Sequence, residues 1–181
     1  MNKLTNESII QTAELLIEET GKAEVSVPQI ATKMGVTHAA IYKHFSNKQD
    51  LWEAVAQKWF DQNIFAQIKI DESISSPKNQ LKDWLWKFVQ AKKQAYLSST
   101  QMFSLNTKYI DSDPYALRKV LMNCYHVINQ IMDYDDSSIE KAETILAAFS
   151  VFTLPNFKEF WSDPDYESRF NAMWDLIELG L

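Results

Sequence analysis

The 181-residue chain is long enough for one compact protein, or for a small domain joined to a larger one. Hydrophobic residues make up 46% of it and charged residues 23%, a balance that argues against a disordered chain. No apolar run approaches the roughly 20 residues that span a bilayer, and the N-terminal residues do not resemble a secretory signal. The single cysteine, Cys124, cannot form an internal disulfide. We therefore expect a cytoplasmic protein that does not insert into a membrane.

Charge is unevenly distributed along the chain. The formal net charge is −6, and it arises from residues 49–181, because lysine and glutamate balance each other in residues 1–48. An acidic body joined to a neutral N-terminal segment is compatible with nucleic-acid binding. This distribution does not indicate nucleic-acid binding without other evidence.

The N-terminal segment predicts three short helices in succession. Apolar residues recur on one face over residues 6–20, and Gly21 suits the left-handed residue that ends such a helix. The second helix begins at "SVPQ", residues 26–29, which match a capping box. Gly35 then supplies a sharp turn, and Thr37 is the expected N-cap of the third helix.

The rest of the chain also predicts helices rather than strands. Residues 46–49, "SNKQ", match a second capping box that starts a fourth helix. Pro155 is expected to end or kink the helix in which it lies. The sequence has no Asn-Gly or Asp-Gly hairpin signal and no sustained alternation of polar and apolar residues, so we predict an all-α chain of eight or nine helices. The later helices are predicted near residues 77–98, 101–110, 114–133, 137–160 and 164–180.

The third predicted helix has two chemically different sides. Ile41 and Phe45 are four residues apart, so they share one face and are expected to pack against the second helix. His38, Tyr42 and Lys43 are expected to face outward. An ordinary helical hairpin with a mixed polar surface is the alternative, and the spacing alone leaves it open.

The outward side suits a helix that lies in the major groove of DNA. His38 and Lys43 can donate hydrogen bonds to base edges, and the small Ala39 permits close approach to a thymine methyl group. Hydroxyl, imidazole and ammonium groups nearby suit phosphate oxygens, which set the register on the duplex. The side chains expected to contact phosphate are those of Thr37, Tyr42, His44 and Lys48.

Residues 26–51, "SVPQIATKMGVTHAAIYKHFSNKQDL", resemble the DNA-binding domain of the tetracycline-repressor (TetR) family of transcriptional regulators. The residues that carry the resemblance are Ile30, Ala31, Gly35, Val36, Tyr42, His44, Phe45, Lys48 and Leu51. The resemblance implies base contacts from Thr37, His38, Ala39 and Lys43. It implies phosphate contacts from Ser26, Tyr42, His44 and Lys48.

The same resemblance implies a two-domain, all-α architecture. Residues 1–48 are expected to form a helix-turn-helix DNA-binding domain, and a continuous helix is expected to join it to a helical ligand-binding and dimerisation domain at residues 49–181. The implied function is a regulator, expected to be a repressor, that binds a near-palindromic double-stranded DNA operator as a homodimer and is released by a small molecule. An activator, or an architectural DNA-binding protein without a small-molecule effector, is the alternative.

Two features depart from the family pattern. Only Lys3 precedes the first helix, where the family often has a basic arm, and Glu14, Glu18 and Glu19 make that helix acidic. Fewer phosphate contacts predict a shallower salt dependence, because each contact contributes roughly 0.9 to the log–log slope of affinity against salt. Measurable affinity is therefore expected to depend on two copies binding together.

Two apolar stretches near the C-terminus are candidates for a dimer interface. Both keep helical spacing, and the resemblance implies that the two helices pair with the same helices of a second copy. The alternative is that both apolar faces belong to the core of one chain. The candidate residues are Ile145, Leu146, Ala148, Phe149 and Phe152, and, in the last helix, Phe170, Met173, Trp174, Ile177 and Leu181.

The resemblance also implies a ligand pocket among the middle helices. Aromatic and methionine side chains suit an aromatic or hydrophobic effector. A position in the core is the alternative for each of them. The candidates are Trp84, Phe88, Met102, Phe103, Tyr109, Met122, Tyr125 and His126.

The sequence lacks the motifs of common enzyme classes. It has no glycine-rich phosphate loop, no His-Glu-x-x-His and no nucleophile elbow. Cys124 and His126 are two residues apart, so on a helix they point in different directions. We therefore expect no enzymatic activity, no cofactor and no metal site.

Overall fold

The computed structural model describes residues 4–135 and 137–181, and it contains ten α-helices and no β-strand in those ranges. This confirms the predicted all-α fold. No helix in this part of the chain is both long and apolar enough to cross a bilayer. In chain order the helices are α1 (Asn6–Thr20), α2 (Val27–Met34), α3 (His38–Ile41), α4 (Lys48–Asn63), α5 (Pro77–Ser98), α6 (Thr100–Asn106), α7 (Pro114–Val120), α8 (Met122–Met132), α9 (Glu140–Ala148) and α10 (Tyr166–Ile177).

The chain divides into two compact units. Unit 1 comprises Met1–Asp61 and Ser98–Leu117, and unit 2 comprises Gln62–Leu97 and Arg118–Leu181. Unit 1 therefore contains the predicted helix-turn-helix together with α6 and the π-helical turn Thr107–Asp111 that follows it. Residue 48, the predicted boundary, lies inside this unit.

Local capping fixes the first three helices as the sequence predicts. Ser26 and Gln29 form the capping box: the Ser26 hydroxyl oxygen accepts from the Gln29 backbone N–H at 3.3 Å, and Gln29 Oε1 accepts from the Ser26 backbone N–H at 2.8 Å. The Thr37 hydroxyl oxygen accepts from the Ala40 backbone N–H at 3.2 Å, which makes Thr37 the N-cap of α3. Gly21 and Gly35 end α1 and α2 in the left-handed conformation, with φ values of 67° and 68°.

The turn at Gly35 gives a stability prediction. An alanine Cβ at this position would meet no atom within 4 Å, so the cost of Gly35→Ala comes from the left-handed backbone alone. We expect a loss of roughly 1–2 kcal/mol in the free energy of unfolding, measured by urea denaturation. Gly180→Ala is the matched control, because Gly180 has equally open space and no left-handed backbone. Equal stability of the two variants would contradict this explanation.

The start of α4 differs from the prediction by one residue. The cap is Asn47, not Ser46, because the Asn47 side-chain oxygen accepts from the Asp50 backbone N–H at 2.9 Å. The Asp50 carboxylate in turn accepts from the Ser46 backbone N–H at 2.8 Å. Asp50, the third residue of α4, therefore accepts from the residue before the cap and not from the cap itself, so the predicted capping box at residues 46–49 is replaced by a different arrangement.

The core of unit 1 is built on one face of each short helix. α2 packs against both α1 and α3. Aromatic residues of α4 extend this core towards α6: the Trp59 ring meets the Phe103 ring edge-on at 6.4 Å, and the Trp52 ring lies 6.3 Å from that of Tyr109. These ring contacts place α4 and the segment of residues 100–111 in one core within unit 1.

Unit 2 has an aromatic core of its own. Trp84 and Phe88 stack in parallel along α5, with ring centroids 5.8 Å apart. Phe170 of α10 lies 4.8 Å from the ring of Trp86 and 5.0 Å from that of Phe149. Such pairs stabilise the packing beyond the apolar area that they bury.

Two of the long predicted helices are broken in the structure. The predicted helix 114–133 is two helices, α7 and α8, that meet at Leu121, and neither proline nor glycine marks the break. The predicted helix 137–160 ends at Ala148 and continues as 3₁₀ turns at Ser150–Phe152 and Pro155–Ser162. Pro155 accounts for the second interruption, because it lacks an N–H donor and leaves Leu154 extended, with ψ at 135°.

Candidate nucleic-acid interface

The two sides of α3 lie as the sequence predicts. Ile41 and Phe45 are buried in unit 1, whereas His38, Tyr42 and Lys43 are exposed. α3 itself is one turn long, but backbone hydrogen bonds of helical type continue to Phe45, whose N–H donates to the Ile41 carbonyl at 3.2 Å. The outward side chains therefore project from a short, anchored support. Ala39 is also exposed, so backbone at this point is open to a close approach.

His38 and Tyr42 form an ordered pair on the exposed side. Their rings meet edge to face, with centroids 6.4 Å apart and planes at 88°. Tyr42 remains 41% exposed. The contact restricts the rotamers of both side chains, so a base or phosphate that meets them would impose a smaller ordering cost.

Three other predicted contacts are already engaged in hydrogen bonds within unit 1. Thr37 uses its hydroxyl oxygen as the α3 cap, which leaves its hydroxyl proton able to donate to a phosphate. The Ser26 hydroxyl donates to Gln29 Oε1 at 2.8 Å, so it must leave that bond to donate elsewhere. His44 Nδ1 lies 2.8 Å from Asn6 Oδ1. An amide oxygen only accepts, so this contact is a hydrogen bond in the tautomer that carries the proton on Nδ1.

Lys48, a predicted phosphate contact, forms an ion pair that the sequence did not predict. Its ammonium group pairs with the carboxylate of Glu24, in the loop between α1 and α2. Lys108 Nζ pairs with the other oxygen of the same carboxylate at 2.5 Å, and the Tyr109 hydroxyl donates to that oxygen at 2.8 Å. We call these four residues the Glu24 cluster. All four belong to unit 1.

The Glu24 cluster is ionised over a wide pH range. Partial burial by itself raises the pKa of the Glu24 carboxyl, but hydrogen bonds from Lys108, Lys48 and Tyr109 outweigh it and lower the pKa to about 2. The hydrogen bond to Glu24 raises the pKa of Lys48 and of Lys108. Burial raises the pKa of the Tyr109 hydroxyl, which is therefore neutral at pH 7. The cluster carries a net charge of +1.

This depressed pKa predicts how stability depends on pH. The carboxyl of Glu24 is ionised at lower pH in the folded chain than in the unfolded chain, so its contribution is complete above about pH 4.5 and is lost as the pH falls towards 2. Glu24→Gln should therefore lower the free energy of unfolding at pH 7, and the difference from the unmodified chain should shrink between pH 4.5 and 2. Urea denaturation across this range measures it.

Glu18→Gln is the control for this experiment, because it removes the same charge from an exposed position on α1. A difference between Glu24→Gln and the unmodified chain that stays constant down to pH 2 would contradict the proposed linkage.

Two of the three acidic residues that depart from the family pattern are paired with lysines in unit 1. Glu14 pairs with Lys58 at 2.9 Å and Glu19 pairs with Lys33 at 2.8 Å. The negative charge of α1 is therefore partly neutralised by neighbouring helices. It opposes an approaching phosphate less than the sequence suggests.

The same segment matches known proteins. A family model described as "Bacterial regulatory proteins, tetR family" matches residues 9–55. Over 84 residues the chain is 33% identical to the tetracycline repressor protein class C of Escherichia coli, a match that covers 46% of this chain and 34% of that protein. Residues 9–55 of this chain are therefore similar to the N-terminal segment of TetR-family regulators. The chain matches only about a third of the repressor's length. The residues that match the family model, 9–55, lie within unit 1.

Solved structures of other proteins, some of them described as TetR-family proteins, have the same fold as this chain. BioQ, solved with its double-stranded DNA operator, aligns with a TM-score of 0.63 at 19% identity, over 96% of this chain and 97% of BioQ. ActR of Streptomyces coelicolor, solved in complex with (S)-DNPA, aligns with a TM-score of 0.56 at 16% identity, over 99% of this chain and 98% of ActR. At these identities the similarity establishes the fold, an N-terminal helix-turn-helix followed by a helical body, as the sequence predicts.

Most of the predicted dimer residues lie in the core of unit 2 and not on its surface. Six of the eight principal candidates are buried within the single chain, so the alternative of a monomer core holds for them. Met173 and Ile177 remain partly exposed. Helical spacing identifies a buried face, but it does not tell which element covers that face. The six buried residues are Ile145, Leu146, Phe149, Phe152, Phe170 and Trp174.

The predicted ligand residues fall into both units. Met102, Phe103 and Tyr109 belong to unit 1, where all three are buried. Trp84, Phe88, Met122, Tyr125 and His126 belong to unit 2. Among these five, Trp84, Phe88 and Tyr125 are buried and His126 is exposed. The lining of an effector pocket stays a prediction.

Sequence reasoning missed two groups of residues. Glu24 and Lys108 are 84 positions apart, so no local pattern could join them. Leu176 of α10 and Leu179 of the 3₁₀ turn that follows it are 77% and 86% exposed, and their spacing could have marked them as a second apolar face.

Proposed function

We propose that the chain is a DNA-binding transcriptional regulator, a repressor, that binds a near-palindromic operator as a homodimer. The observation that carries the proposal is the outward surface of His38, Tyr42 and Lys43, held by the buried Ile41 and Phe45. A helix anchored on one side and polar on the other fits the major groove, and a two-fold dimer places two such helices on successive turns of the duplex. The operator in the BioQ structure supports the same use of this fold.

The surface that we propose for the dimer is the exposed side of α9 and α10. Ala172, Leu176 and Leu179 recur at helical spacing and are exposed. Neighbours of these leucines in the sequence, Ile177 and Gly180, line a groove of about 610 Å³ together with residues of α9. In a two-fold dimer each patch meets its own copy, so the leucines of one chain are expected to fill the groove of the other. The groove is lined by Tyr134, Glu140, Lys141, Thr144, Ile145, Ala148, Ile177, Gly180 and Leu181.

Anchoring of the last turn supports this surface. The Trp174 indole N–H donates to the Glu178 carboxylate at 2.9 Å, and Lys78 Nζ donates to the Glu178 backbone carbonyl at 2.7 Å. Leu176 and Leu179 therefore project from an ordered segment. Two exposed leucines with no cover in the chain itself are a liability for solubility unless a partner buries them.

We propose further that a small hydrophobic molecule releases the operator. Two buried polar atoms of unit 1 support an internal ligand: within the described residues, neither Trp52 Nε1 nor Asn106 Oδ1 has a hydrogen-bond partner. Asn106 is fully buried, and its amide nitrogen donates to Asp111 Oδ2 at 3.0 Å, which aims the unpaired oxygen away from that carboxylate. Buried polar groups that lack a protein partner commonly bond to a ligand or to water. The ligand of ActR shows that a protein of this fold can hold one.

Selection of bound duplexes from a random pool tests the DNA-binding proposal. The expected result is an enriched near-palindrome whose half-sites are about one helical turn apart, bound by two copies of the chain. If no sequence is enriched relative to a control pool that was selected without protein, the proposal is overturned. Enrichment of a single asymmetric half-site would keep DNA binding and overturn the homodimer.

Titration of planar hydrophobic compounds against the protein–operator complex tests the effector, with fluorescence anisotropy of a labelled operator as the readout. The expected result is release by at least one compound, and weaker release from Asn106→Leu, which removes the unpaired oxygen. Release that is unchanged in Asn106→Leu would overturn the role of this residue. A complex that no compound releases would favour the alternative, a DNA-binding regulator without an effector.

A further inference from the structure

The Glu24 cluster contains two lysine ammonium groups but only one carboxylate. Lys48 and Lys108 each pair with a different oxygen of one carboxylate, so one negative charge holds two positive ones. The Glu24 side chain is only 20% exposed, whereas the side chains of Lys48 and Lys108 are 50% and 60% exposed. One unit of positive charge is therefore left over, and both ammonium groups face solvent.

Lys58, another lysine of unit 1, is in the opposite arrangement, with one ammonium group between two carboxylates. Lys58 pairs with both Glu7 and Glu14, at 3.0 and 2.9 Å, and its side chain is only 17% exposed. There the carboxylates are in excess and the ammonium is enclosed, as expected of an ion pair that only joins helices. The Glu24 cluster differs from this pair in both the sign of its excess charge and its exposure.

Two contacts fix Lys108 in place beside Lys48. Its ammonium group lies 4.8 Å from the centroid of the Tyr109 ring, within the range of a cation–π contact. The Tyr109 hydroxyl shares with Lys108 the oxygen of Glu24 that Lys48 does not use. Each ammonium has three N–H donors, so both lysines keep donors for a further acceptor after bonding to Glu24.

A phosphate is the ligand that suits such a pair. It offers several acceptor oxygens and a negative charge that balances the excess positive one. Lys48 is also the first residue of α4, where the helix dipole and free N–H groups favour an anion. The proposed operator supplies phosphates in a regular row next to the base edges that α3 is proposed to contact.

We propose that Lys108, which lies outside the helix-turn-helix, contacts an operator phosphate beside Lys48, with their shared Glu24 carboxylate holding the two ammonium groups together. The proposal rests on the operator binding proposed above. It extends the DNA-contacting surface of unit 1 to the segment that follows α6.

The salt dependence of operator binding tests this proposal. Each lost phosphate contact should lower the slope of log affinity against log salt concentration by roughly 0.9, so Lys108→Met should lower it by roughly 1.8 in a two-fold dimer. Lys48→Met should do the same. Lys108→Arg should keep the slope, since it retains a charged donor. Lys119→Met is the control for net charge, because it removes an exposed lysine of α7 and should leave the slope unchanged.

The outcomes separate the two proposals. If the unmodified chain binds its selected operator and Lys108→Met leaves the slope unchanged while its melting temperature falls, Lys108 is only part of a stabilising ion pair and the proposal is overturned. Equal reductions in Lys108→Met and Lys119→Met would also overturn it, since they would report net charge alone. Failure of the unmodified chain to bind any duplex would instead overturn the proposed function.

Discussion

Replacement of Leu176 and Leu179 by aspartate should convert the proposed dimer into a monomer and lower operator affinity by about 10²-fold or more. Both side chains are largely exposed in the single chain, so the substitutions should not disturb the core of unit 2. In the dimer they would place four carboxylates in an apolar contact, where burial of a charge is strongly unfavourable. In a dimer, binding of one recognition helix to its half-site raises the effective concentration of the other recognition helix at the second half-site. A monomer lacks this effect, so its affinity for the operator is lower.

Sedimentation measures whether the chain is a monomer or a dimer, and fluorescence anisotropy of a labelled operator measures the operator affinity. Leu97→Asp is the matched control, because Leu97 is an exposed leucine of α5 in the same unit, 64% accessible to solvent. It should sediment with the unmodified chain, and both variants should keep the same helical circular dichroism. A double variant that remains a dimer would show that the exposed face of α10 is not the interface.

The buried aromatic residues explain why this experiment uses surface leucines. Trp174 and Phe170 have the helical spacing expected of an interface, yet their contacts are within unit 2: Phe170 packs on Trp86 and Phe149. Aspartate at either position would unfold the unit and give no information about the dimer. Periodicity identifies which face of a helix is buried, but both a core and an interface bury such a face, so the sequence could not separate them.

Local features, by contrast, were predictable in detail. α1 begins and ends at the predicted residues, and the caps at Ser26 and Thr37 and the left-handed turn at Gly35 all occur. Each depends on atoms no more than four residues apart, so the residue types alone specify the geometry. The one-residue shift of the α4 cap to Asn47 arises because two adjacent polar residues can each cap that helix.

Long-range partners account for most of what the sequence could not predict. The motif predicts Lys48 as a phosphate contact, but its pairing with Glu24 depends on how α1, α2 and α4 meet. The inclusion of Ser98–Leu117 in unit 1 is likewise a matter of tertiary packing, seen in the contact of Trp59 with Phe103. No pattern within a helix indicates which distant helix will cover it.

Replacement of Lys43 by alanine should weaken operator binding by about 1–3 kcal/mol in each half-site and relax the base preference at one position. Lys43 is exposed and follows the anchored turn of α3, so its removal should leave the fold intact while it deletes a donor to a base edge. His38→Ala should have a similar effect at a neighbouring position. It should also leave Tyr42 less restrained, because the edge-to-face contact is lost.

Base preference is the readout that distinguishes a base contact from a phosphate contact. Lys33→Ala is the control, because it removes an exposed lysine of α2 that pairs with Glu19, and any effect on DNA should apply equally to all sequences. Duplex selection repeated with each variant should therefore change the preferred base only for Lys43→Ala and His38→Ala. If Lys43→Ala selects the same operator with the same affinity, α3 does not lie in the major groove as proposed. The exposed side of this helix would then need another partner, whereas its buried side, Ile41 and Phe45, would be unaffected by the result.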